Sequence, residues 1–371
     1  MRVLFLTDQI YLHGGVEKVI SQKANYLAAV SLDEVTIITY NQQGRKPVYP
    51  FSKKIQMFDL GINYEICKSY FHPVNLKKIP PHRNTLLLML RQLRPDVIIS
   101  CSFGPDFYFL PYLETQIPKV KEFHGSRFFY KSPTASTKKK LLQRLNRITE
   151  EKYNCIAVLN ESEKVFYSNS NVVVIPNPAE ITSERSDVTS KKILAAGRIS
   201  PVKNFADVID AFARLSTDFP EWELHFFGED YLSTQQKLEE QILTLGISDQ
   251  VKFKGVTADL KKKMRTYSIY AMTSETECFP MVLLEALSVG IPIVTYASPT
   301  GPQHIVRNGN DSFLVPYKNL DIFTTQLKTL MTDENLRRKM GSAARENVQR
   351  FSIDKVMQQW KCLFIQLTTK N

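Results

Sequence analysis

Short apolar runs of strand length alternate with longer segments whose apolar residues recur every three to four positions, along almost all of the 371-residue chain. Val3–Thr7 predicts a strand, Val16 to about Val30 a helix, and Val35–Tyr40 the next strand. Val97–Ser100, Val120–Phe123, Cys155–Leu159 and Val172–Ile175 continue the series, with helical patterns between several of them. The second half repeats it with Ile193–Ala196, Glu223–Phe227, Val251–Phe253, Ile269–Met272 and Ile291–Tyr296. It ends on helical patterns at Asp333–Val348 and Ser352–Leu367. Strands separated by helices need crossover connections, so the predicted class is α/β, with parallel sheets covered on both faces.

Two such sheets of domain size predict two lobes. The break falls near Pro176-Asn177-Pro178, where two prolines stop a strand or a helix, and Glu180–Ser190 beyond it is nearly devoid of large apolar residues. The expected lobes are 1–178 and 179–351, with a last helix, 352–371, packing back on the first. Ligands of open parallel sheets bind at the carboxyl ends of strands, so facing strand ends are expected to form a cleft.

Composition narrows the class. At 43% hydrophobic and 23% charged residues the chain is globular, not collagen-like or disordered. Five cysteines without a CxxC pair suggest neither a disulfide framework nor a zinc site, and fit a reducing cytosol. Thr7 and Asp8 break the apolar start Val3–Leu6, so no export signal is expected. The longest aliphatic run, Leu86–Leu90, is far short of the ~20 residues of a membrane span. Basic residues outnumber acidic ones 48 to 37, a net +11, with 25 against 17 in residues 1–190 and 23 against 20 after them. That surplus points the first lobe toward an anionic surface. Nucleic acid is not the expected partner, because no zinc-finger, KH or RRM signature accompanies the charge.

The candidate chemistry lies in loops after strands. Gly14-Gly15 precedes the first helix, where glycines admit a ligand to the backbone and free N–H groups attract an anion. It is not the GxGxxG fingerprint of nicotinamide binding. His124-Gly125-Ser126 follows the strand ending at Phe123. Gly197-Arg198 and Lys203-Asn204 fill one strand-to-helix loop, where two cations can neutralise a diphosphate together. Glu277 lies in the loop before a helix that contains Glu285; Pro280 suits the helix start and Gly290 its end. Phe279, Pro280, Met281 and Val282 are then expected at a helix start that offers N–H groups to phosphate. Thr300-Gly301-Pro302-Gln303 is a further strand-end loop. Each motif also has a plain structural reading, as a turn, a solvated loop or a surface glutamate.

In this order, and with seven residues between Glu277 and Glu285, the motifs resemble those of the retaining glycosyltransferases of family 4, which have the GT-B fold of two Rossmann-like lobes. The resemblance covers nearly the whole chain and is most specific over residues 193–316. It implies a nucleotide-sugar donor, by default a UDP-sugar, held mainly by the second lobe. Arg198 and Lys203 would bind the diphosphate and Glu285 the ribose. Glu277 and His124 would lie at the donor sugar and the reacting centre, and Gly14 and Gly15 would face the phosphate. It also implies a metal-independent reaction without a cofactor, and no Asp-x-Asp occurs. Cys278 replaces the glycine usual after the first glutamate. The run Thr300–Ile305 is similar to that of enzymes building bacterial surface polysaccharides. A nucleotide-sugar 2-epimerase of the same fold is the alternative.

The acceptor side is drawn in broader strokes. Residues 45–83 carry eight basic side chains, among them Lys53, Lys54, Lys77, Lys78 and Arg83, interleaved with Tyr64, Tyr70, Phe71 and Ile79. Lys138-Lys139-Lys140 precedes Leu141, Leu142, Leu145 and Ile148 at helical spacing. A basic amphipathic surface suits an anionic membrane; the competing reading puts the leucines in the core. The expected acceptor is a lipid-linked or surface glycan, and the expected place the cytoplasm, on the inner face of the cell membrane.

Overall fold

The computed structural model describes residues 1–65, 67–128, 137–167, 171–257 and 259–369. The chain separates into two compact units, residues 1–178 joined by the segment from Ile353, and Ala179–Ser352.

Unit 1 contains β1 (Arg2–Thr7), β2 (Glu34–Thr39), β3 (Gln56–Asp59), β4 (Val97–Ser100), β5 (Lys119–Glu122), β6 (Cys155–Val158) and β7 (Val172–Val174). They form one sheet in the order β3-β2-β1-β4-β5-β6-β7, and every neighbouring pair is parallel. Between the strands run α1 (Gly15–Ala29), α2 (Pro73–Leu76), α3 (Ile79–Leu93), α4 (Asp106–Phe109), α5 (Thr137–Glu150) and α6 (Glu161–Lys164). The pleat of β1 divides the core in two. Val3 and Phe5 join one cluster, Leu4 and Leu6 the other.

Unit 2 contains β8 (Lys192–Ala196), β9 (Glu223–Phe227), β10 (Val251–Phe253), β11 (Ile269–Met272), β12 (Ile293–Tyr296) and β13 (Ser312–Val315). Their order is β10-β9-β8-β11-β12-β13, again all parallel. The helices are α7 (Phe205–Ser216), α8 (Thr234–Thr244), α9 (Leu260–Met264), α10 (Met281–Val289), α11 (Leu320–Thr332) and α12 (Glu334–Asn347). Trp222, Phe212, Phe226, Ile269 and Leu327 belong to its core. The final helix, α13 (Ile353–Thr369), belongs to unit 1. Its Val356, Trp360 and Phe364 pack with Ile20, Ala24 and Leu27 of α1. Each large side chain buried there contributes about 1.5–3 kcal/mol.

Both sheets reverse their winding beside their first strand, between β1 and β4 in unit 1 and between β8 and β11 in unit 2. At such a switch point the connections leave to opposite faces and open a crevice beyond the strand ends. The loops bearing Gly14 and Arg198, and the loop bearing Glu277, start from these strands.

Three strands depart from the expected pattern. All four residues of β3 are exposed, so no buried face marks it. β13 starts on Ser312 at the sheet edge. β5 is Lys119–Glu122 rather than an apolar run, and its three charged residues are buried.

Helix α10 is fixed by close backbone packing. Gly290 ends it at φ +76°, and a Cβ there would stand 3.0 Å from the Gly341 carbonyl. A Cβ on Gly341, in α12, would in turn strike the carbonyl of Gly290. Gly341→Ala is therefore expected to destabilise unit 2 by about 1–3 kcal/mol through overpacking, despite the ~1 kcal/mol that alanine gains over glycine in a helix. Urea unfolding measures it; an unchanged or higher midpoint would show that the two helices can yield.

Candidate functional site

In unit 2 the loops beyond β8 and β11 meet around one ion pair. Gly197 follows β8 with φ +145°, and the Lys203 side chain lies against it, its Cε 3.0 Å from where a Cβ would sit. Lys203 Nζ reaches the Glu277 carboxylate at 2.5 Å. The Glu275 N–H donates to the Val202 carbonyl at 2.8 Å, tying the two loops by backbone as well. From the loop after β12, Thr300 Oγ1 donates to the Glu277 carbonyl at 3.1 Å. Gly301 presses on that same carbonyl so closely that a Cβ would stand 2.6 Å from it. Arg198 sits over Tyr231, 5.4 Å from the ring centroid. Glu285, in the second turn of α10, is buried rather than on the surface. Buried Tyr270, whose hydroxyl donates to the Ala196 carbonyl at 3.0 Å, lies beneath. Burial, then the Glu277 and Glu285 carboxylates, raise its phenol.

The helix start differs from the expectation. Pro280 is the cap before α10, not part of its first turn, and proline has no N–H to offer. Phe279 is buried with its ring edge-on to Phe351, 5.4 Å between centroids, so its side chain serves packing. Leu283 N–H bonds back to the Pro280 carbonyl. Met281 and Val282 therefore supply the N–H groups that no helical carbonyl takes. Glu275 points elsewhere and pairs with Lys318 at 2.9 Å, and Cys278 is buried. Asn204 stands before α7 in a left-handed conformation without a side-chain cap.

Unit 1 has a cavity of about 770 Å³. Asp8, Glu17, Lys121, Glu122 and His124 contribute to its lining, as do the aromatic rings of Phe103, Phe123 and Tyr167. Gly14 caps α1 and Gly15 opens it. The expected anion site there is occupied by the chain's own carboxylate. Glu17 folds back so that a Cβ on Gly14 would strike it, and Gln9 Nε2 donates to it. Burial raises Glu17, against its own N–H and Gln9. Asp8 is raised by burial too.

Lys23 and Glu122 form a buried ion pair, with Nζ–Oε distances of 2.7 and 2.6 Å. Burial alone would raise Glu122, but Lys23 and then His124 hold it well below the usual carboxylate range. His124 Nε2 lies 3.4 Å from Glu122 Oε2. Arg127 follows in the same loop, paired with Glu150 and stacked 4.0 Å from the Tyr167 ring centroid.

Of the residues gathered here, His124, Gly14 and Gly15 stand out in the sequence by type and position, whereas Asp8, Glu17, Lys23, Lys121 and Glu122 do not. A signal existed. Lys23 falls on the apolar face of α1 between Ile20 and Leu27, and Lys121 and Glu122 fall in a strand with covered neighbours on both sides. In the basic segment 45–83, Tyr64 is buried against His82 and Tyr70 rather than offered to a partner.

Two family models match the chain, "Glycosyltransferase Family 4" over residues 13–182 and "Glycosyl transferases group 1" over residues 176–347. An exopolysaccharide phosphotransferase of Streptomyces coelicolor is 33% identical over 225 residues, 58% of this chain and 24% of that protein, so the chain spans about a quarter of that relative. The amylovoran biosynthesis glycosyltransferase AmsD of Erwinia amylovora is 23% identical over 97% of this chain and 98% of its own. A crystal structure of an S. aureus TarM mutant, in complex with fondaparinux, alpha-GlcNAc-glycerol and UDP, superposes with a TM-score of 0.79 at 14% identity. It covers 98% of this chain and 99% of that one. At that identity the likeness shows the fold.

The Lys203–Glu277 pair leads to a direct test. Glu277 would compete with a phosphate for Lys203, so Glu277→Gln is expected to tighten binding of inorganic pyrophosphate on the order of tenfold. Lys203→Met is expected to weaken it by at least as much. Calorimetry reads both, and equal affinities in all three proteins would remove Lys203 from the anion site.

Proposed function

Since the chain belongs to the GT-B glycosyltransferases of family 4, we propose that it moves a hexose or N-acetylhexosamine from a UDP-sugar, with retention of configuration, to a lipid-linked or surface-glycan acceptor of bacterial polysaccharide synthesis. The observation that carries this reading is the pairing of Lys203 with Glu277 across the switch-point loops of unit 2, with Arg198 in the same loop as Lys203 and buried Glu285 inside the helix that follows Glu277. A nucleoside diphosphate needs cations for its phosphates and carboxylates for its hydroxyls, and this crevice offers both.

Arg198, Lys203 and the N–H groups of Met281 and Val282 would take the diphosphate. Negative charge grows on the leaving phosphate oxygen as its bond to the anomeric carbon breaks, and fixed cations and amides stabilise that charge without reorganising. Glu285 would accept from the ribose hydroxyls and Glu277 from the donor sugar, Lys203 changing partner from Glu277 to phosphate. The acceptor hydroxyl would attack the anomeric carbon from the leaving-group face and pass its proton to the departing phosphate. His124 would orient the sugar at the reacting centre. No metal or cofactor is part of this proposal.

The acceptor is assigned to the unit 1 cavity, and helix α5 supports a membrane surface beside it. Lys140, Gln143, Asn146, Arg147 and Glu150 line the cavity. On another side of the same helix Leu141, Leu145 and Ile148 are 68%, 42% and 45% exposed, against the reading that placed them in the core. The side chain of Lys138 lies outside the described residues. Among the described residues, no helix is long and apolar enough to cross a membrane. An apolar stripe flanked by cations can instead lie in a lipid interface, here proposed to be the inner face of the cell membrane.

A thermal-shift panel of UDP-, GDP- and ADP-sugars tests the donor. A ligand at 100 times its Kd adds about 2.7 kcal/mol to the folded state, so a UDP-sugar is expected to raise Tm where the others do not. Arg198→Ala is expected to lower the rate of UDP release by 10²-fold or more, on the order of a lost charge-stabilising donor. Stabilisation by none of the panel would sink the donor assignment. For the membrane, Leu141→Gln with Leu145→Gln is expected to cut partitioning to anionic vesicles on the order of tenfold. Added salt should weaken the wild-type protein further. Equal sedimentation of both proteins would move the acceptor to a soluble molecule.

A further inference from the structure

The Lys23–Glu122 pair is an unusual thing to find at this place. Lys23 is 1% exposed and Glu122 2%. Lys23 stands among Ile20, Ala24 and Leu27, and its Nζ lies 4.2 Å from the ring centroid of Trp360 and 5.6 Å from that of Phe5. Removing two charges from water costs several kcal/mol for each ion, and an apolar pair of the same volume would often be as stable or more so. Stability therefore does not explain the pair. The neighbouring cation, Lys121, gives its hydrogen bonds to Ser100 and Ser102 rather than to Glu122.

Glu122 does have a second neighbour. Its Oε1 and Oε2 both accept from Lys23, and Oε2 alone faces His124 Nε2 at 3.4 Å and the Cys101 Sγ at 3.7 Å. Cys101 stays a thiol, since burial and then the Glu122 charge push it up. Of these neighbours Cys101 and His124 also line the cavity, and of the two only His124 has a second polar atom, its other ring nitrogen, to offer a ligand. Which nitrogen of an imidazole carries the proton is set by what the other end faces. A carboxylate facing Nε2 keeps a proton there and leaves Nδ1 as the nitrogen available to a ligand.

Resting on the reading that puts His124 at the reacting centre, we propose that Glu122 is a positioning residue for His124, and that Lys23, clamped under Trp360, exists to keep Glu122 ionised and fixed. The pair is then the support of a functional imidazole rather than a fold-stabilising bond. Trp360 sits in α13, so the last helix of the chain takes part in building the unit 1 site.

A single Glu122→Gln strands a buried lysine and can simply unfold the protein. The informative variant replaces both partners, Lys23→Met with Glu122→Leu, which restores an uncharged, filled core. It is compared with His124→Ala and with the wild-type protein by thermal unfolding, UDP binding, and UDP release from the UDP-sugar that gives the largest thermal shift. Water serves there as acceptor. The double variant is expected to unfold near the wild-type temperature and to bind UDP equally well, since UDP is assigned to unit 2. Its kcat is expected to fall about tenfold or more, the scale of a positioned proton-transfer group, with KM for the donor changed less than twofold. His124→Ala should fall at least as far. A folded double variant with wild-type kcat, beside a crippled His124→Ala, would overturn the proposal and leave the role of His124 standing. A fully active His124→Ala would overturn that role, and this proposal with it. Should the double variant fail to fold, the pair would be shown to be structural, which also overturns it.

Discussion

A parallel sheet wrapped by helices on both faces has almost no surface of its own. Most side chains along its central strands are spent on packing, and chemistry gathers at the carboxyl edge, where the connections depart. That constraint organises both units. In unit 2 it brings the loop that carries Arg198 and Lys203 against the loop of Glu277, far apart in sequence and tied by a backbone hydrogen bond between Glu275 and Val202. In unit 1 it gathers Asp8, Glu17, Glu122 and His124 around one cavity.

Charges at such an edge find partners within the protein itself. Glu277 holds Lys203, and Glu17 folds back over the start of α1. Each carboxylate stands where an anion could stand. On the proposed reading a phosphate would exchange places with these carboxylates, so affinity would be a difference between two sets of charged contacts.

Much of this was legible in advance. The alternation of strand and helix patterns marks the class; Gly197, Arg198, Lys203 and Glu277 stand out by type in loops after strands, and Glu285 by its spacing from Glu277 within a helix. What escaped did so for physical reasons. β3 and β13 are edge strands without two covered faces, so hydrophobic periodicity has little to mark. Pro280 was read as a donor position although its nitrogen carries no hydrogen. Lys23, Lys121 and Glu122 were hidden by the ordinary assumption that charged residues lie outside. A buried ion pair can be recognised only when both partners are seen, and these two are 99 positions apart.

The return of α13 to unit 1 has a consequence for synthesis. The face of α1 that carries Ile20, Lys23 and Leu27 is covered by Val356, Trp360 and Phe364. At about 5–20 residues per second, a ribosome takes roughly 10–35 s to make the residues of unit 2 that lie between. During that interval the first unit to emerge is the unfinished one, with an apolar face and a lysine open to water, while unit 2 can complete its own core. Order of appearance and order of completion are therefore reversed in this chain, and the nascent first half is the part with most need of a chaperone.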